Sequence, residues 1–161
     1  MRRSPCKQPC KHFCRNKINT TERTSLLLAG LHENREESIN ADGRSETSHH
    51  VAQSIKYSLD GFPKPKPAWF QNTLGAAAFA IFSARGKMSH GLDEPVPGAA
   101  NIADGQALGP ATDHLREALL RFDRHAGKLA PHFAYGPLSK ADYTRAHLMH
   151  LANHWDLVES G

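Results

Sequence analysis

His147-Leu148-Met149-His150-Leu151-Ala152-Asn153-His154 places three imidazoles at helical spacing near the end of the chain. Residues three and four apart stack on one face of an α-helix, so His147, His150 and His154 project from a single stripe. A divalent ion of the zinc or nickel class accepts neutral imidazole nitrogen. An i, i+4 pair lets one helix supply two such ligands, while the third must come from elsewhere. The same spacing arises readily in a chain with 11 histidines. The competing reading makes Tyr143, His147, Leu151 and His154 an ordinary core-facing stripe.

Ahead of this stretch, Ser139-x-x-Asp142 has the form of a capping box. Leu138 and Tyr143 stand where a hydrophobic staple would hold the entry of a last helix over 140–157. Leu115, Ala118, Leu119, Phe122 and Ala126 form an apolar stripe that predicts a helix over 112–126, ended by Gly127. Another helix, over 67–85, starts at Pro67 and stops at Gly86. Apolar residues surround its later half, so it is expected to be the most buried element. Its run from Leu74 to Phe82 is about half of the roughly 20 residues a membrane span needs. Asp42-Gly43 reads as a turn, after which Ser45, Thr47 or Ser48 caps a helix over 46–59 with Val51, Ile55 and Leu59 on one side. Residues 87–110 hold Gly91, Pro95, Pro97, Gly98, Gly105, Gly109 and Pro110, which predicts a long irregular loop of the functional or lid type. No strand pattern competes. The expected class is all-α, an antiparallel bundle whose interior can assemble ligands from facing helices.

A chain of 161 residues suits one hydrophobic core. Residues 1–44 read as a basic, atypical N-terminal segment and 45–161 as the helical domain. The formal net charge of +4 is concentrated before residue 24, where Arg2, Arg3, Lys7, Lys11, Arg15, Lys17 and Arg23 face only Glu22. A basic tail without an aromatic platform argues against a nucleic-acid partner. Cys6, Cys10 and Cys14 all fall in this tail. An odd number outside the core argues against a disulfide framework and for a reducing, cytoplasmic location. They also lack the C-x-x-C pairs of common zinc sites. No apolar stretch has the length and place of a secretory signal, and none has the length of a membrane anchor.

Four runs occur in order: His50-Val51-Ala52-Gln53-Ser54-Ile55-Lys56-Tyr57-Ser58-Leu59-Asp60-Gly61-Phe62-Pro63; Lys87-Met88-Ser89-His90-Gly91-Leu92 with Glu94-Pro95-Val96-Pro97-Gly98-Ala99; Pro131-His132-Phe133-Ala134-Tyr135-Gly136-Pro137-Leu138-Ser139; and His150-Leu151-Ala152-Asn153-His154. Together, over about residues 48–157, they resemble the DUF1569 family of the DinB-like metalloprotein superfamily. That superfamily also contains bacillithiol transferases and mycothiol-dependent maleylpyruvate isomerases. The resemblance implies a cytoplasmic bacterial protein with a four-helix bundle and a three-histidine divalent metal site. Carried onto this chain, the ligands are His50 and the H-x-x-x-H pair His150 and His154. His147 then stands beside the site or at its rim, and His49 is a surface neighbour of His50. The residues alone leave open whether His147 or His154 partners His150.

One departure is the polar stretch Ser38-Ile39-Asn40-Ala41-Asp42-Gly43-Arg44-Ser45-Glu46-Thr47, where the family would have an apolar approach to its first histidine. Either residues 21–37 make a poor, degenerate first helix, or that helix is missing through a misassigned start or a shifted reading frame. The abrupt change of polarity before His50 fits the second explanation better.

Two classes of function follow. In the enzyme reading the metal keeps an open position and lowers the pKa of what binds there. The resemblance implies hydrolase-like or thiol S-transferase chemistry on a small-molecule substrate or a low-molecular-weight thiol. His90, Asp93 and Glu94 would then form a lid or supply a proton-transfer group, against the alternative of a solvated turn. In the other reading the bundle is a non-catalytic metal- or small-molecule-binding module, able to pair as a homodimer. The lack of a carboxylate on the helical faces near the histidines supports it.

The N-terminal tail should contribute neither ligand nor core, because low hydrophobicity and like charge cannot offset an ordering cost of roughly 1–2 kcal/mol per residue. Deleting residues 1–20 should leave the thermal midpoint and the metal content unchanged. Loss of metal on deletion would instead implicate the three cysteines.

Overall fold

The computed structural model describes residues 41–89, 95–102 and 107–160, with side chains from 43 to 154. The expectations for the tail and for His90, Asp93 and Glu94 lie outside the described residues. Among the described residues four helices follow one another. They are α1 (Ala41–Asp60), α2 (built from Ala68–Phe70, a π-helical turn Gln71–Gly75 and Ala76–Arg85), α3 (Leu108–Arg124) and α4 (Lys140–Ser160). Among the described residues there is no strand, only an isolated antiparallel pairing of His132 with Gly136. The architecture is all-α, and none of these helices is long and apolar enough to cross a membrane.

α1 packs along α3 and less extensively along α4. Their shared core is Val51, Ala52 and Ile55 from α1, Leu115, Ala118, Leu119 and Phe122 from α3, and Tyr143 and Leu151 from α4. Leu59 and Leu138 pack on its edge. These are the stripes that the 3.6-residue periodicity marks.

Four expectations need correction. Asp42-Gly43 is not a turn, and Ser45, Thr47 and Ser48 do not cap, because α1 already begins at Ala41. Ser45 and Ser48 are instead 1% and 0% exposed. Packing along α3 outweighs the cost of about 1 kcal/mol for a helical glycine such as Gly43. α2 is not the most buried element. Trp69, Leu74 and Ile81 are 64%, 59% and 55% exposed, because α2 touches α4 only lightly. α4 holds that place, with every residue from Ala146 to Leu151 buried. The irregular loop ends before 108 rather than at 110, since Gly109 and Pro110 lie in the first turn of α3, where the missing proline N–H costs nothing. That helix stops at Arg124, leaving Ala126 exposed beyond it.

The helix ends follow the sequence signals more closely. Gly86 adopts the left-handed conformation at φ 65°, and Lys87 N–H donates to the Phe82 carbonyl to close α2. At the start of α4, Asp142 N–H donates to Ser139 Oγ at 3.1 Å, while the Ser139 hydroxyl donates to Asp142 Oδ2 at 2.6 Å. Lys140 Nζ donates to the carbonyls of Asp123 and His125 at 2.6 and 2.8 Å, putting a cation on the C-terminus of α3.

The α3–α4 connector is held from two sides. Ala130 N–H donates to the Ser58 carbonyl at 2.9 Å, and Lys66 N–H donates to the Phe133 carbonyl at 2.8 Å. Gln71 Nε2 also donates to that Phe133 carbonyl, at 3.2 Å. The π-turn brings Gly75 directly against the Ala134 carbonyl, and a Cβ there would overlap its oxygen. Gly75→Ala should therefore destabilise the fold by about 1–3 kcal/mol in denaturant unfolding. Ile81→Ala, on the exposed face of the same helix, should stay within about 0.5 kcal/mol. Equal effects would show that the connector yields freely.

Candidate metal centre

His50 sits on α1 immediately before the buried pair Val51 and Ala52, so the rotation that buries those residues also turns its imidazole inward. His150 and His154 come from successive turns of α4. His50 Nε2 lies 3.1 Å from His150 Nε2, which lies 2.8 Å from His154 Nε2. One ring nitrogen from each of the three falls within 4.8 Å of the others. His50, His150 and His154 are only 8%, 9% and 1% exposed.

This donor set suits a cation. Ligand nitrogens about 2.0–2.1 Å from a tetrahedral ion stand roughly 3–4 Å apart. A proton on one imidazole nitrogen can serve one or two neighbouring lone pairs, whereas a divalent ion serves all three. The triad could hold a metal ion. Beside it opens a cavity of about 420 Å³, lined in part by His50 and His150. Met88, Val96 and Ala146 make apolar walls, and Lys66 contributes an exposed cation. Met88 and Val96 are both 5% exposed, and their burial was not expected of a loop. A ligand position left by the three imidazoles can face this space.

His147, on the same helical stripe, is not part of the cluster. Its Nε2 lies 3.3 Å from Ser58 Oγ, and its ring stacks on Tyr143 and meets Phe122 edge-on at centroid distances of 5.4 and 5.2 Å. Burial pushes its pKa down to about 3, so the ring is neutral at ordinary pH. Tyr143 beneath it donates its hydroxyl to the Ala130 carbonyl at 2.7 Å.

His49 is not a surface neighbour of His50 but half-buried on the other side of α1, with Nδ1 3.3 Å from His114 Nδ1. His114 also meets Lys56 Nζ, and these groups line a separate cavity of about 530 Å³. Burial first, and the Lys56 charge second, lower the His114 pKa.

Sequence reasoning gave no role to His132, which lines the same 420 Å³ cavity as His50 and His150. Its Nδ1 accepts two backbone N–H bonds, from Ala134 and Tyr135, both at 3.2 Å. Its ring stacks on Tyr135 at 4.3 Å, nearly parallel at 8°. Burial, then the proximity of His147, pushes its pKa down to about 3. The signal was present in a histidine held between Pro131 and Gly136-Pro137, a loop too short and too punctuated to be a solvated linker.

The family model described as "Protein of unknown function (DUF1569)" matches residues 19–160. No curated protein and no solved structure matches the chain.

The neutral burial of His147 has a pH signature. Its pKa is about 3 in the fold against 6.5 normally, so between these values the unfolded chain binds a proton that the folded chain does not. Stability is fully present above about 6.5 and falls as pH drops toward 3, by about 1.4 kcal/mol per pH unit for each such group. In urea unfolding of metal-free protein between about pH 4 and 6, His147→Phe should make the decline shallower by about one proton. An unchanged slope would mean that His147 is protonated within the fold.

Proposed function

The chain belongs to the DUF1569 family, and on that premise we propose that it is a DinB-like four-helix metalloprotein acting on a small molecule. In this reading His50, His150 and His154 hold one divalent cation, zinc or nickel, for cytoplasmic hydrolase-like or thiol S-transferase chemistry. The observation that supports it is the convergence of three buried imidazoles from two helices, two of which, His50 and His150, line a cavity of about 420 Å³.

A cation held there would supply Lewis acidity, lowering the pKa of a water or thiol at its open position. The chain's own residues do the rest. α1 and α4 fix the imidazoles on rigid elements rather than loops. Met88, Val96 and Ala146 keep water from much of the cavity wall, which strengthens electrostatic interactions inside.

A second reading is favoured by one specific feature. Among the described residues the cavity lining contains no carboxylate, so no general base of that type faces the triad. The site would then be a metal- or small-molecule-binding module without turnover.

Metal analysis of the purified protein tests both. The parent should carry close to one ion per chain, His150→Ala should lose it, and His147→Phe should retain it. Unchanged affinity in His50→Ala would refute the site. Stoichiometric metal without thiol transfer or hydrolysis would favour the binding module.

A further inference from the structure

The cavity is lined by two chemically distinct groups. One is the imidazole triad, through His50 and His150. The other is His132, whose tautomer is set by its surroundings: Nδ1 accepts the N–H groups of Ala134 and Tyr135 and therefore carries no proton. The single proton of the neutral ring is then on Nε2. Among the described residues Nε2 has no hydrogen-bond partner, although the residue is only 8% exposed. His132 lines the cavity, so an acceptor bound there can take this donor. The ring is held in place, stacked on Tyr135 and packed against Phe62 at 5.2 Å. Its loop is closed by paired backbone bonds between His132 and Gly136, at 2.8 and 3.0 Å.

We propose that His132 is a positioning and specificity residue, its Nε2–H donating to a carboxylate or carbonyl oxygen of a small molecule whose other end reaches the triad. This rests on the metal reading and adds the substrate class: a metal-binding head joined to an oxygen acceptor across a short apolar spacer. The spacer lies along Met88 and Val96, which offer it no polar partner. A neutral donor also accounts for the loop. Two backbone N–H groups on Nδ1 oppose protonation there, so the ring keeps its donor on one edge at every ordinary pH.

The test uses cobalt(II)-loaded full-length protein, titrated with 3-mercaptopropionate, 4-mercaptobutyrate or propanethiol and followed by the thiolate–cobalt absorption. The parent should bind at least one mercaptocarboxylate more tightly than propanethiol. His132→Asn keeps an acceptor for the loop N–H groups but loses the far donor. It should weaken that mercaptocarboxylate by about tenfold or more, leaving propanethiol and cobalt affinities unchanged. His132→Gln, which returns an N–H near the Nε2 position, should restore much of the difference. The same His132 dependence should persist in Lys66→Met. Its disappearance there would assign carboxylate recognition to Lys66 and overturn the proposal. Equal loss for both ligand types would reduce His132 to a structural role and overturn it as well. If His132→Asn fails to fold, the parent still decides, since absence of any preference for a carboxylate refutes the inference. A parent that takes up no cobalt overturns the metal reading and this one with it, whereas normal cobalt uptake with no His132 effect overturns this one alone.

Discussion

The site depends on the packing of α1 against α3 and α4 through Val51, Ile55, Leu115 and Tyr143, the last three fully buried. α1 is a poor helix by composition, rich in serine and histidine and carrying Gly43. It is held by its apolar stripe. The rotation that puts Ile55 into the core fixes the direction of every other side chain on the helix, so His50 faces α4 one turn from Ser54, and Ser58 faces His147 a turn further along. Tyr143 ties the two ends of this arrangement together. Its ring lies under His147, and its hydroxyl accepts no role beyond holding the Ala130 carbonyl, next to the amide that bonds the Ser58 carbonyl.

Such an interior is expensive. Ser45, Ser48, His50, Ser54, Ser58, His132, His147 and His154 are all buried. Ser45 and Ser48 Oγ have no hydrogen-bond partner among the described residues. A domain selected only for stability would fill these positions with aliphatic side chains, since each uncompensated polar group costs about 1–3 kcal/mol. His50, Ser54 and Ser58 along one face of α1, with His147, His150 and His154 on α4, mark where function overrides stability. The Arg121–Asp60 pair does not make up the deficit. Its two contacts of 2.6 and 2.8 Å are about half exposed to solvent, where such pairs contribute little.

Much of the fold was legible because it rests on periodicity and caps. The Leu115–Phe122 stripe, the Ser139–Asp142 start and the left-handed Gly86 are local signals with local causes. What escaped depended on contacts between distant segments. The apolar content of α2 implied burial, but the sequence cannot say whether another element covers Trp69, Leu74 and Ile81. The start of α1 was misplaced because Asp42-Gly43 has turn chemistry that packing along α3 overrides. At the candidate site, the H-x-x-x-H spacing gave His150 and His154, yet equally allowed His147. Only the resemblance pointed to His50, and only tertiary structure separates His147, which lies one turn lower against Tyr143. His132 received no role for a related reason, since the Pro131 to Pro137 punctuation marks a constrained loop but its place depends on backbone bonds from a connector clamped between α1 and α2.

The two histidines outside the triad explain how a cavity lined by four imidazoles, those of His50, His132, His147 and His150, avoids repelling a cation. A protonated His132 or His147 in a low-dielectric interior would oppose a divalent ion at the triad. Desolvation removes that conflict by keeping both rings neutral, with pKa values pushed to about 3. The same burial that destabilises the fold in acid therefore keeps the cavity free of competing positive charge near neutrality. Among the described residues Lys66 is the cation left in its lining, and it is solvent-exposed, where its charge is screened. The field inside the cavity is thus set by the triad and whatever it holds, a condition for binding an anionic or polarised group there.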